Sequence, residues 1–193
     1  MSAAAGFDAA RLVRFHDECL ASPGWPRAGA ERHAAGAWHW AERNHRFNAL
    51  LWDEEDLARR RDVADAEIAA NKRAIDGFNQ SRNDAVERLD EIVLAALGTA
   101  IREDARLHSE TPGMMADRLS ILALKIRAMR AQTERRDAAP GHADACRAKL
   151  VRLEEQRGDL ARCLDELLAD CASGRARFKI YRQFKMYNDP AYR

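Results

Sequence analysis

Residues 65–97, DAEIAANKRAIDGFNQSRNDAVERLDEIVLAAL, decide the fold. The run has no proline, and its apolar residues Ile68, Ile75, Val86, Leu89 and Val93 recur at steps of three, four or seven. That period places them on one stripe of an α-helix. Gly98 follows as the stop, and the Asp62–Asp65 stretch supplies a break and a fresh N-cap in front. A helix of this length with one apolar stripe needs partner helices to cover it. The same heptad stepping puts Lys72, Asn79 and Arg82 on the inward stripe, with Asp76 and Asn83 beside it. A buried charge costs several kcal/mol unless it is paired, so the facing helix must carry compensating groups.

The segment just before it offers them. From about Gly29 to Arg61 the chain is alanine-rich and proline-free, which predicts one long helix. His45, Asn48, Trp52, Glu55 and Arg59 fall on one of its faces, with Asp56 alongside. A short turn makes the two helices antiparallel, so Glu55 and Asp56 are expected to meet Lys72, Arg73 or Arg82.

Further out, Phe7–Leu20 reads as a short helix ended by Ser22-Pro23-Gly24-Trp25-Pro26. Thr111-Pro112 is an N-cap and first-turn pair for a fourth helix, expected to reach about Asp137. Between Leu119 and Ile126 it is apolar nearly all round, which marks a helix buried on several sides. After Ala139-Pro140-Gly141, a fifth helix spaces Cys146, Leu150, Leu153, Leu160, Leu164, Leu167 and Cys171 in near-heptads up to Ser173-Gly174. Strand alternation with hairpin signals is missing throughout. The expected fold is all-α: an antiparallel bundle of four long helices plus a short N-terminal one. It forms a single domain over residues 1–193, with 1–6 and the last few residues as tails.

Composition narrows the class of function. With 47% apolar and 33% charged residues, the chain holds no run approaching the ~20 apolar residues of a membrane span. The first six residues lack the basic and apolar regions of a signal peptide. The 32 basic and 31 acidic residues leave a net charge of +1, which disfavours general nucleic-acid binding. Cys19, Cys146, Cys163 and Cys171 form no C-x-x-C pair and read as reduced residues, so a cytoplasmic setting is expected.

The polar seam has two readings. One is a structural ion-pair network. The other is a ligand site, in which Lys72, Arg73 and Arg82 hold a phosphate or carboxylate and Trp52 stacks on a flat group. His45, Glu55 or Asp56 would handle protons, while Asn48, Arg59, Asp76, Asn79 and Asn83 orient the ligand. Glu42-x-x-His45 has the spacing of di-iron bundle ligands, but only one copy exists. Magnesium on Glu55, Asp56, Glu87 or Asp90 is the better metal candidate. Glu87-x-x-Asp90 echoes all-α nucleotide pyrophosphohydrolases, although the full double motif is absent.

The run from Asn48 to Arg59 (NALLWDEEDLAR), followed by Lys72-Arg73-x-Ile75-Asp76-x-x-Asn79-Gln80-x-Arg82-Asn83-Asp84, resembles the bacterial family of unknown function DUF4254. Ser109–Gly113 leading into Asp117–Lys125 strengthens the likeness, as does Phe184–Pro190, so it spans most of the chain. The resemblance implies a bacterial protein of about this length, encoded beside glycosyltransferase and surface-polysaccharide genes. It also implies that Asp117 and Lys125 of the fourth helix join the seam. The leading expectation is therefore a site for a phosphorylated or nucleotide-sugar-like small molecule in surface-glycan metabolism. Its rivals are a non-enzymatic adaptor for a glycosyltransferase or a second copy of the chain, and a magnesium-dependent nucleotide hydrolase.

Three smaller features complete the reading. Trp38, His39 and Trp40 are expected to pack on the N-terminal helix. Phe178, Tyr181, Phe184 and Tyr187 are expected to pack on the bundle at helical spacing, with Lys185 a possible anion contact. Gly77 is expected either to permit a close helix crossing or to sit on the surface.

Overall fold

The computed structural model describes residues 6–183. Five α-helices build it: α1 (Ala9–Ala21), α2 (Gly36–Ala58), α3 (Asp65–Leu97), α4 (Pro112–Thr133) and α5 (His142–Ala172). The fold is all-α, as the periodicity predicts. α2 and α3 form one helical hairpin, α4 and α5 a second, and α4 packs against all four other helices. Eleven residues of α4 are buried, including Met115, Leu119, Leu122 and Ile126, which matches its all-round apolar character. The main core joins Leu12 of α1, Leu89 and Val93 of α3, Leu119 of α4, and Leu160, Leu164 and Leu167 of α5.

The helix ends follow local chemistry. Asp8 caps α1, its carboxylate accepting from the Arg11 N–H at 2.8 Å. Thr111 caps α4, with Pro112 in the first turn. Gly98 ends α3 with φ of 51°, a conformation open to a residue without Cβ.

The second helix begins seven residues later than its composition suggests. Gly29 and Gly36 have φ of 102° and 78°, which a continuous helix cannot contain. The segment between them is instead held by a side chain. The buried Glu42 carboxylate accepts the backbone N–H groups of Arg32 (2.9 Å) and His33 (3.1 Å). Arg46 donates to Pro26 O at 2.6 Å and Gly29 O at 3.3 Å. Partners supplied from α2 give the loop backbone an alternative to helix.

Past α5 the described residues, up to 183, form a turn and then run on without helix. Two-residue strands β1 (Arg106–Leu107) and β2 (Ala176–Arg177) pair in parallel. Helical spacing of the closing aromatics therefore fails: Phe178 is buried, whereas Tyr181 is 73% exposed. Phe184, Lys185 and Tyr187 lie outside the described residues. Trp38 packs as expected, its ring 5.2 Å from Phe7 and 5.8 Å from Phe15 of α1, whereas Trp40 lines a groove with Ser81, Asp84 and Glu87 of α3. Gly77 faces open space. The tight crossing is at Gly113, where an added Cβ would lie 2.6 Å from Val86 O.

Candidate functional site

The inward face of α3 runs Ile68, Asn71, Ile75, Phe78/Asn79, Arg82, Ala85/Val86 and Leu89, all buried or half-buried. At the helix start the three-residue step lands on Asn71, where the heptad reading had taken Lys72. Both steps suit an α-helix, and the shorter amide is the one that can be satisfied indoors. Asn71 donates to the buried Glu54 carboxylate at 2.7 Å, and Arg27 donates to its other oxygen at 3.0 Å. These hydrogen bonds, Arg27 first, hold the Glu54 carboxyl below its ordinary pKa.

Several expected seam residues consequently leave the site. Lys72 is exposed and pairs with Asp76 on its own helix at 3.4 Å; Arg73 is exposed as well. Neither cation faces Glu55 or Asp56. Lys125 points outward from α4. Asn83 is turned aside, donating to Gln183 Oε1 at 2.8 Å. Long charged side chains had an aqueous route and took it.

A cavity of about 280 Å³ opens between α2, α3 and α4. It is lined by Asn48, Leu51, Trp52, Glu55 and Asp56 of α2 with Arg59 capping its end, Asn79 and Arg82 of α3, and Ile121 and Leu124 of α4. Seven of these are residues singled out from the sequence. The α2 members sit at steps of one, three or four, so one helix face forms a whole wall. Asn48 and Arg59 lie about 16 Å apart along the axis, with Asn48 buried and Arg59 exposed.

Asp117 organises the inner end. It is 5% exposed, and its Oδ1 accepts from Asn44 Nδ2 (2.8 Å), Asn48 Nδ2 (2.9 Å) and Arg82 Nε (2.7 Å). Arg82 Nη2 donates to Oδ2, completing a bidentate fork. Hydrogen bonding to Asp117 raises the Arg82 pKa still further, so its charge is fixed. The resemblance placed Asp117 in this seam, and here it stands; Asn44 gave no warning beyond its helix position.

His45 lies behind that end, fully buried and outside the cavity lining. Its Nε2 is 3.2 Å from His16 O, a carbonyl that can only accept, so Nε2 carries the proton. Nδ1 is then the acceptor for the Ser120 hydroxyl at 2.8 Å, while Ser120 Oγ accepts from Asn48 Nδ2 at 3.0 Å. The His16 ring packs 4.4 Å away, and neither of its nitrogens meets a partner among the described residues. Burial pushes the His45 pKa down to about 3 and lowers that of His16 as well. Neither imidazole touches the cavity, which removes His45 from the candidate proton carriers there.

At the outer end, Glu55, Asp56 and Arg59 are exposed and interact within α2, Arg59 to Asp56 at 2.7 Å and to Glu55 at 3.8 Å. The magnesium candidates on α3 are spent elsewhere. Asp90 accepts from Thr111 Oγ1 at 2.5 Å and Gly113 N at 2.6 Å, securing the start of α4. Burial lifts its pKa to about 6. Glu87 accepts from Gln183 N at 3.2 Å. Among the described residues, no group of three His, Cys, Asp or Glu side chains is placed to hold a metal ion. Nor does any described helix have the length and apolarity to cross a membrane.

A helical bundle with a cavity wedged between three helices, polar at both ends and apolar between, is the class of molecule these features define. The chain belongs to the family described as "Protein of unknown function (DUF4254)", which it matches over residues 38–180. No curated protein and no solved structure matches it.

Proposed function

We propose that this protein binds a small polar molecule in the cavity between α2, α3 and α4, with bacterial surface-glycan metabolism as its setting. The observation that carries the reading is a set of polar groups left over at the cavity wall. Among the described residues, Arg82 spends Nε and Nη2 on Asp117 and leaves Nη1 without a partner. Asn79, half-buried on the same wall, hydrogen-bonds to nothing. Both side chains are partly open to water, so what they offer is spare hydrogen-bonding capacity turned to a concave, largely apolar wall, the usual make-up of a ligand site. At about 280 Å³ the cavity falls just below the usual span of ligand sites, roughly 300–1,000 Å³, which limits it to a small guest.

The expected ligand is more modest in charge than the sequence implies. With Lys72, Arg73 and Lys125 in solvent, the cations left at the cavity among the described residues are Arg82, neutralised by Asp117, and Arg59, neutralised by Asp56. That arrangement suits one hydrogen-bond acceptor, not a polyphosphate. The competing adaptor reading expects a sealed seam, and the open cavity favours a ligand instead.

Thermal-shift screening of sugars, sugar acids, nucleosides, nucleotides and divalent ions tests the proposal. A ligand at 100 times its Kd stabilises by about 2.7 kcal/mol, or roughly 5–10 °C for a chain of this size. An Ile121→Trp variant, which fills the cavity, should fold and lose the response. If every compound leaves the melting temperature unmoved, the cavity is not a ligand site.

A further inference from the structure

The direction of each unspent group at the inner end narrows the ligand further, if the cavity is a ligand site at all. Asn48 must turn its amide nitrogen toward Asp117 Oδ1, which can only accept, so its orientation is fixed. Asn48 Oδ1 accordingly has no donor among the described residues, and Asn48 lines the cavity. The inner wall thus offers an acceptor on Asn48 and, on Arg82 Nη1, a donor, each held by the same carboxylate. Their complement is a ligand that presents an N–H to Asn48 and an acceptor such as a carbonyl to Arg82.

The rest of the wall separates the chemistries that carry such a pair of groups. Leu51, Ile121 and Leu124 line the middle with the indole of Trp52, which is itself packed on Leu20, Ala49, Ala123 and Leu124. A sugar ring carries hydroxyls around its whole rim, and this apolar middle would leave them unsatisfied. A nucleobase confines its polarity to the in-plane edge and is apolar on both faces, so it suits an aromatic wall with polar groups at one end. At the mouth, Glu55 and Asp56 outnumber Arg59 by one negative charge. Carboxylates there accept from ribose hydroxyls and repel phosphate.

We infer that the cavity recognises an oxo-purine or oxo-pyrimidine nucleoside: the base stacks on Trp52, its C=O meets Arg82, its N–H meets Asn48, and the ribose lies toward Glu55 and Asp56. A 5′-phosphate is a hindrance in this site, which reverses the phosphorylated ligand expected from the sequence.

Inosine and adenosine provide the test, since they share ribose and ring size and differ at the edge in question. Calorimetric titration of the intact protein should show inosine binding at least tenfold more tightly than adenosine, and more tightly than inosine 5′-monophosphate. Trp52→Leu should weaken inosine tenfold or more. A Glu55→Gln/Asp56→Asn variant should bring the monophosphate to within a few-fold of the nucleoside. Equal binding of inosine and adenosine overturns the inference, as does tighter binding of the phosphorylated form. If methyl glycosides or sugar acids bind where no nucleoside does, the cavity reading stands and this inference falls. If no compound binds, both fall together.

Discussion

Replacing Asp117 with asparagine removes one charge from the centre of the bundle and leaves its shape intact. The carboxylate is 5% exposed and receives two asparagine amides and both prongs of the Arg82 guanidinium. Breaking a buried pair costs about 3–5 kcal/mol, because the surviving charge has no counterion. Arg82 is 28% exposed and can recover some water, so the lower figure of about 3 kcal/mol applies. With a urea m-value of about 2 kcal/mol/M, the unfolding midpoint should fall by about 1.5 M. A double-mutant cycle isolates the cause. Arg82→Met/Asp117→Asn removes both charges, and its cost should be smaller than the sum of the single variants by about 1.5 kcal/mol or more. A single-variant loss below 1 kcal/mol with no coupling would show that the pair is an ordinary surface ion pair, and Asp117 would lose its organising role.

Other consequences follow from the same contacts. His45, with a folded pKa near 3, must stay neutral, whereas the unfolded imidazole protonates below about 6.5. Its contribution to stability is complete above pH 6.5 and falls by about 1.4 kcal/mol per pH unit as the pH drops toward 3. His16 is shifted the same way and adds to the slope, while Asp90, raised to about 6, opposes it between about pH 6 and 3.8. Urea titrations at pH 7 and 5 should show the loss, and His16→Phe should shrink it while costing less than about 1 kcal/mol, since His16 forfeits no protein hydrogen bond. Gly113→Ala drives a Cβ to 2.6 Å from Val86 O and 2.9 Å from the Asp90 carboxylate, so a melting-temperature drop equivalent to about 1–3 kcal/mol is expected. Gly77→Ala meets nothing within 4 Å and should stabilise by about 0.5–1 kcal/mol, a matched control. Asp90→Asn should weaken the start of α4, detectable as faster amide exchange at Gly113 and Met114; unchanged exchange would mean Thr111 caps that helix alone.

Much of this arrangement could be read from the chain. The end of α3 at Leu97 comes from the Gly98 stop, whereas at its start Ala64 holds the cap position with no side-chain hydrogen bond; the antiparallel order of the helices comes from short turns. The wall formed by Asn48, Trp52, Glu55, Asp56 and Arg59 also needed only the helix period. Which polar residues enter the interior was harder. At the start of α3 the period allows a step of three or of four, and only the partner on α2 decides. Glu54 stands opposite Asn71, so the amide goes in and Lys72 goes out. Composition likewise made residues 29–35 helical, whereas Glu42 and Arg46 of α2 supply the hydrogen bonds that hold them as a loop.

The sequence by itself determined what each short stretch prefers alone: that α1, α3, α4 and α5 are helices, where Gly98 and Thr111-Pro112 punctuate them, and which faces are apolar. These are local matters of dihedral preference, capping and period, settled within a few residues. Tertiary structure alone decided where the charges end. A carboxylate such as Asp117 is tolerated inside only when Arg82, Asn44 and Asn48 converge on it from two other helices. That convergence spans up to 73 positions of chain and is fixed by the mutual satisfaction of donors and acceptors, which no single segment encodes.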